Sequence, residues 1–360
     1  VFEGGEMNFY SDEILVEPIL NYGVATKNID LVAGPPSIPQ DVLTAVKDAP
    51  LTKFGETIDE NPKSYSAQIL KFEWLTINAR GRLVLTNFAL PWIAIVAKNI
   101  SIENAPNLSE KAIIMRASDA DLARYLNGPD RAPYPTRARD GGYDTGEAGN
   151  SGAEGVWGGD GYTAHTPKIY VFFENIDVAT QDPPAGGVHI RFEVDGPKGG
   201  DGGNGGNGQD GGVGGRGTPS SCDQVTFPIN TCTSCKSGPG DGGRGGDGGI
   251  GGRGGAAAPG GNAADVWFIG PQTSLGKTGY FGVSQAGGKP GRPGVGGGPG
   301  NPGSGGGGGY QCKCCPNGGG SHGPGVGPNP PTRGLGPVSN VRGVDGDIFR
   351  IVRDNSDLWP

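Results

Sequence analysis

Between Gly199 and Gly217 the chain reads GGDGGNGGNGQDGGVGGRG. Glycine recurs there without a miss at Gly199, Gly202, Gly205, Gly208, Gly211, Gly214 and Gly217. A period of three fits neither the α-helix nor the β-strand. It is the period of the extended left-handed polyproline-II helix, which rises about 3.1 Å per residue. Every third residue of such a helix shares a ridge, so two ridges are nearly bare. The third carries Asp201, Asn204, Asn207, Asp210, Val213 and Arg216. Without Cβ atoms, neighbouring extended helices approach until backbone N–H and C=O groups bond between them. Those bonds and the close packing must offset the high backbone entropy of glycine. A flexible glycine linker shares this composition, so the rest of the chain has to decide.

Three sister runs decide it. Glycine returns in phase, imperfectly, at Gly146, Gly149, Gly152, Gly155, Gly158 and Gly161, then through Gly238–Gly255, and at every third position from Gly288 to Gly309. A linker has no reason to hold phase over such lengths, so the sequence predicts ordered polyglycine-II-like helices. Each run would extend roughly 50 to 65 Å. In the run from Gly238 the third ridge carries Asp241, Arg244, Asp247, Ile250 and Arg253. Opposite charges one turn apart on that ridge are largely screened. Asp241, Arg244, Asp247 and Arg253 are therefore expected to act between adjacent helices or subunits. The last run also satisfies Gly-X-Y from Gly288, with Pro290, Pro293, Pro299 and Pro302, but a collagen triple helix normally takes many more triplets.

Apolar segments precede the runs. Lys27-Asn28-Ile29-Asp30-Leu31 matches Lys98-Asn99-Ile100-Ser101-Ile102 and Glu174-Asn175-Ile176-Asp177-Val178, with a weaker copy at Pro271–Leu275. A second strand follows at Ala112–Met115, Val188–Phe192 and Tyr280–Val283. The pattern strand, strand, glycine run is thus used about three times. Glu13–Leu20 reads as an edge strand broken by Pro18, Pro39–Val46 as a short helix, and Leu75–Asn87 as a hairpin about Ala79-Arg80-Gly81. Asp347–Val352 is a last short strand. The fold class expected is mainly β plus polyglycine-II: repeated strand pairs, as a sheet or short β-solenoid, beside stacked glycine-rich helices. The organisation expected is a β-rich region over 1–90, a repeated body over 91–310 with a cysteine insertion at 218–237, and a Cys/Pro/Gly-rich tail over 311–360.

Composition narrows the function classes. Of 360 residues, 73 are glycine and 31 proline, yet 34% hydrophobic content leaves enough for one real core. A net charge of −8 with mixed signs gives no basic footprint for nucleic acid. No apolar run is long enough to span a membrane. The start at Val1 fits a processed chain, and equally a trimmed one. His165, His189 and His322 lie far apart without H-E-x-x-H or triad context. Asp201, Asn204 and Asn207 lack the EF-hand order and its closing Glu, so their ridge is read as solvated. The G-x-G matches lack a strand–turn–helix setting. The sequons at Asn99 and Asn107 matter only in a secreted, glycosylated chain. No catalytic, cofactor or metal residue is assigned, and no enzyme activity is expected.

The sharpest chemistry lies in Cys222, Cys232, Cys235, Cys312, Cys314 and Cys315, in two clusters that interrupt or end glycine runs. C-x-x-C and C-x-C-C are thiolate-rich and suit a metal. An even, clustered set in a chain with a thin core also suits disulfides in an oxidising compartment. Disulfides are the favoured expectation, with their connectivity open.

The Gly-Gly-X runs over 146–161, 199–217, 238–255 and 288–309 resemble the polyglycine-II bundle proteins, among them snow-flea-type antifreeze proteins and the glycine-rich tips of phage tail-fibre adhesins. The strand-then-run layout is similar to glycine-rich, collagen-like bacterial surface proteins. The likeness covers under a quarter of the chain, and the charged ridges depart from a flat ice-binding face. It implies an extracellular or cell-surface scaffold. The resulting expectation is a subunit of a fibre, sheath or pilus-like filament, with copies of itself as partner. The alternative is a surface or fibre-tip adhesin with a cell-surface or glycan ligand.

Overall fold

Ile93, Ala94, Ile95, Val96 and Ala97 are all buried, with no polar alternation. A strand of that kind must be covered on both faces, as parallel strands are. In the computed structural model, which describes residues 37–102, 112–178, 188–225, 231–315, 317–328 and 334–359, it lies in a six-stranded parallel sheet. The order across that sheet is β1 (Lys53–Ile58), β3 (Ile69–Ile77), β5 (Trp92–Ile102), β7 (Lys168–Val178), β11 (Val266–Gly270) and β13 (Ile348–Val352). A second parallel sheet has the order β12 (Phe281–Ser284), β8 (Ile190–Glu193), β6 (Ala112–Arg116), β4 (Arg82–Leu85) and β2 (Lys63–Tyr65).

The main core lies between the sheets. Phe72, Ile95, Val171, Phe173 and Phe268 project from the first sheet to meet Leu83, Ile114, Phe192 and Phe281 of the second. The other face of the first sheet offers Ala94, Val96, Tyr170, Phe172, Trp267 and Ile269 to helix α1 (Gln40–Asp48) and to Leu358 near the C-terminal end. Two further helices, α2 (Asp119–Leu126) and α3 (Gln272–Leu275), are short. Ser118 caps α2 by accepting the Asp121 N–H. Lys71, 3% exposed, donates its Nζ to the carbonyls of Val46, Lys47 and Ala49 at the end of α1. Those are orphan acceptors at the negative end of the helix dipole. Asn355, 1% exposed, donates to Phe173 O and Ile269 O and so ties β7 to β11.

Tyr170 gives this packing a pH signature. Burial first, then the charges of Asp265 and Asp41, push its phenol up to about 12. The folded value lies above the unfolded one, so the neutral phenol stabilises the fold fully below about pH 10, and that contribution is lost as pH rises towards the folded value. Measured against Tyr170→Phe from about pH 9 to about pH 12, the wild type is expected to lose roughly 2 kcal/mol more stability. Parallel pH profiles of the two proteins would contradict this.

The expected fold class is therefore corrected: the protein has a mixed α/β fold with two large parallel sheets and short helices. It is not a mainly β, polyglycine-II or β-solenoid protein organised by its glycine runs. The hairpin about Arg80 is corrected as well, since β3 and β4 belong to different sheets. Inward-facing Ile77 and Leu83 share one inter-sheet core, which produced a hairpin-like alternation without antiparallel pairing. The weak strand copy at Pro271–Leu275 is α3. The other two copies lie side by side, with Asn99 opposite Asn175 and the Asn175 amide donating to Asn99 Oδ1 at 3.1 Å. The Asn99 amide also donates to Glu73 O, so this sequon is engaged within the sheet. The segments at Glu13–Leu20 and Lys27–Leu31, and Asn107, lie outside the described residues.

Beside the sheets, the glycine segments run as extended chain joined by backbone bonds. Gly208 N–H donates to Gly298 O at 2.9 Å, Gly249 N–H to Gln209 O at 2.8 Å, and Gly300 N–H to Gly249 O at 2.8 Å. The Asp and Asn side chains on the ridges are not simply solvated. Asp201, Asn204, Asn207 and Asp210 accept the backbone N–H groups of Arg292, Val295, Gly298 and Asn301 at 2.7 to 2.9 Å. Each of these ridge side chains thus finds its donor on the neighbouring segment. Asp201 also binds Lys198 at 2.6 Å. Burial opposes its ionised form, but Lys198 and the Arg292 N–H outweigh it and hold the carboxyl below its ordinary range.

Candidate functional site

Six cysteines meet at one end of the glycine segments. An antiparallel hairpin, β9 (Ser221–Val225) and β10 (Thr231–Ser237), carries three of them, with Cys222 directly opposite Cys235. A tight turn carries the others and is closed by the Cys315 N–H donating to Cys312 O at 3.1 Å. Ser220 holds hairpin and turn together, its N–H and hydroxyl donating to Tyr310 O while its oxygen accepts the Cys312 N–H. Beside them the Arg216 guanidinium lies 3.3 Å from the centre of the Tyr310 ring.

Three disulfides join the two pieces: Cys222–Cys312, Cys232–Cys314 and Cys235–Cys315, with Cα separations of 6.5, 5.7 and 5.0 Å. No free cysteine remains. Bonds of this kind persist in an oxidising environment. Cys315 is buried at 2%, whereas Cys235 is an exposed residue. On the hairpin surface Lys236 pairs with Asp223 at 2.7 Å. Lys236, then the Ser234 hydroxyl, keep the Asp223 carboxyl below its usual range, and Asp223 in turn raises Lys236.

The sulfurs lie closer together than three separate staples require. The Sγ atoms of Cys222, Cys312 and Cys315 lie within 4.8 Å of one another, and so do those of Cys222, Cys232 and Cys314. Thiolates bind zinc at about 2.3 Å, so either set, once its disulfides are reduced, could hold one ion. Three protein ligands leave a fourth position open for water or substrate, as in catalytic zinc sites. The expectation that the chain is not an enzyme is corrected on this observation, because the knot is a metal-capable constellation and a candidate catalytic or cofactor-binding site. In the sequence the two cysteine clusters suit a metal as well as disulfides, and the expectation favoured disulfides over a metal site. Spacing alone does not show that residues 90 apart, such as Cys222 and Cys312, converge.

Of the ridge residues expected to act between adjacent helices or subunits, Asp241, Asp247 and Arg253 are bonded to neighbouring segments of the same chain. Asp241 Oδ1 accepts the Gly320 N–H at 2.6 Å. Asp247 Oδ1 accepts the Val326 N–H at 2.7 Å and pairs with Arg244 at 3.0 Å. Arg253 Nε donates to Leu335 O at 3.4 Å. The seven structural glycines from Gly199 to Gly217 donate their N–H groups to the 289–307 segment, Gly199 to Lys289 O and Gly217 to Gly307 O. The bonding that the filament reading gave to other copies is thus satisfied internally. The expected homopolymer of fibre, sheath or pilus type is corrected to a folded domain with internal disulfides and a metal-capable site. The adhesin alternative with its cell-surface or glycan ligand, framed on a polyglycine-II scaffold, falls with it. The resemblance to polyglycine-II bundle and collagen-like proteins is corrected in the same way. It rested on under a quarter of the chain, and the molecule is organised by parallel sheets, helices and disulfides. Among the described residues no helix is long and apolar enough to cross a membrane.

His165 Nδ1 accepts the Asn262 N–H at 2.9 Å. His189 is buried against the Tyr280 ring. Neither lies in the sulfur sets, and His322 does not enter them either. Comparison of the chain with family models, with curated proteins and with solved structures finds no match.

Proposed function

We propose that this chain is a binding domain of the extracellular space or cell surface whose functional centre is the cysteine knot. Oxidised, the knot is a covalent staple; reduced, it is a thiolate site for one soft metal ion. The observation that carries this reading is the pair of three-sulfur sets within 4.8 Å. Thiolate-only ligation selects soft cations such as Cu(I), Zn(II) or Cd(II) over hard, oxygen-seeking ones. Both sets contain Cys222, so they exclude each other and the stoichiometry is one ion per chain. A sulfur in a disulfide has no thiolate to give, so binding follows reduction and releases the remaining thiol protons.

Anaerobic protein reduced with a phosphine and titrated with Cd(II) is expected to develop a thiolate-to-cadmium ultraviolet band that saturates at one equivalent. Oxidised protein, and reduced Cys222→Ser protein, should develop far less of it. A reduced wild type that gives no band, or a band untouched by Cys222→Ser, rules this function out.

A further inference from the structure

The bonded pairs are not the only sulfurs in contact. Buried Cys315 Sγ lies 3.5 Å from Cys312 Sγ and 3.7 Å from Cys222 Sγ, so it touches both atoms of the neighbouring Cys222–Cys312 bond. Its own partner is Cys235, the one exposed residue among the six cysteines, which makes this bond the best placed of the three for a small thiol from solvent. Cys235 also sits directly across the hairpin from Cys222.

We propose that the knot is a thiol-triggered disulfide isomerase of itself, in which two bonds between hairpin and turn exchange for one within each. Disulfides exchange by attack of a thiolate on a disulfide sulfur, through a mixed disulfide. A small thiolate attacks Cys235 Sγ, forming a mixed disulfide there and breaking Cys235–Cys315. The Cys315 thiolate takes the leaving electron pair. It attacks Cys312 Sγ, forming Cys312–Cys315 and releasing Cys222 as thiolate. Cys222 then attacks the mixed disulfide on Cys235, forming Cys222–Cys235 and returning the small thiolate. Bonds formed equal bonds broken, no net oxidation or reduction occurs, and the thiol acts as a catalyst.

Both products fit the backbone. A turn closed from residue i+3 to residue i holds its end Cα atoms within about 7 Å. Residues opposite each other in an antiparallel pair lie about 4.5 to 5.5 Å apart. Both separations suit a disulfide. After the exchange Cys232–Cys314 is the one disulfide that still ties the hairpin to the turn. The step needs no metal and stands apart from the metal-site reading.

The test uses the oxidised full chain with Cys232→Ser and Cys314→Ser, chelator present, and a catalytic amount of glutathione. After acid quenching, cleavage before Asp223 and after Lys236 and Lys313 places the four remaining cysteines on four different peptides. The expected result is loss of the pairs Cys222–Cys312 and Cys235–Cys315 and gain of Cys222–Cys235 and Cys312–Cys315, with no free thiol appearing. Electron-transfer fragmentation of the wild-type knot after the same treatment should show the same two new bonds, which guards against a variant that misfolds. Persistence of the starting pairs in both proteins overturns the proposal, and so does an unselective mixture of all pairings.

Discussion

Gly208→Ala is expected to destabilise the protein by about 3 kcal/mol or more, whereas Gly307→Ala is expected to change stability by no more than about 0.5 kcal/mol. A Cβ on Gly208 would fall 2.7 Å from Ile250 O and 2.5 Å from the Gly249 carbonyl carbon, with Gly249 O closer still. All three are backbone atoms, so no side-chain rotation relieves the clash, and the two segments have to separate. Separation strains the Gly249 N–H bond to Gln209 O and the Gly208 N–H bond to Gly298 O. Each such bond contributes about 1 kcal/mol net, and more where its groups stay buried and unpaired. A Cβ on Gly307 meets nothing within 4 Å, and the alanine restricts the unfolded chain. Denaturant unfolding of the two variants reads the contrast directly. Equal midpoints would show that the segments do not hold together through their backbones.

Period-three spacing made the glycine segments legible, because a repeat of that kind is a local property of the chain. The sheets were far less so. Parallel pairing joins residues such as Ile95 and Val171, and nothing between them in sequence marks the partnership. Only the recurring Asn-Ile motif hinted at it, by placing Asn99 opposite Asn175. The ridge Asp and Asn residues show the same limit from the other side. Asp201, Asn204, Asn207 and Asp210 were visible, but their acceptor role depends on a segment 91 residues away that keeps constant register. Read alone, an exposed Asp every third residue looks solvated. The cysteine knot was half legible: the clusters stood out, while the convergence of Cys222, Cys312 and Cys315 belongs to the fold.

Complete reduction of the three disulfides is expected to lower stability by about 5 kcal/mol or more, yet leave both sheets folded at room temperature without denaturant. The three bonds span 80 to 90 residues, and on the chain-entropy account the first closure of such a loop contributes about 4 to 5 kcal/mol. The other two do not repeat that value, because the first already brings the two segments together. Cys232 and Cys314 each lie between the other bonded cysteines of their own segment. The loop they close is therefore very short, and Cys232→Ser with Cys314→Ser should cost about 2 kcal/mol or less. The sheets do not depend on the knot for their packing. Phe72, Ile95, Phe173, Phe192 and Phe268 bury one another with no cysteine among them. The hairpin, by contrast, rests on the disulfides and a few bonds through Ser220. Hydrogen exchange should then show amides of β9 and β10 losing protection on reduction while those of β5 and β7 keep theirs, together with a lower denaturant midpoint for the whole chain. If reduction removes protection from β5 and β7 to the same degree, the knot is a keystone of the sheets and their packing is not sufficient. If the midpoint does not move, the three bonds constrain nothing that unfolding has to release.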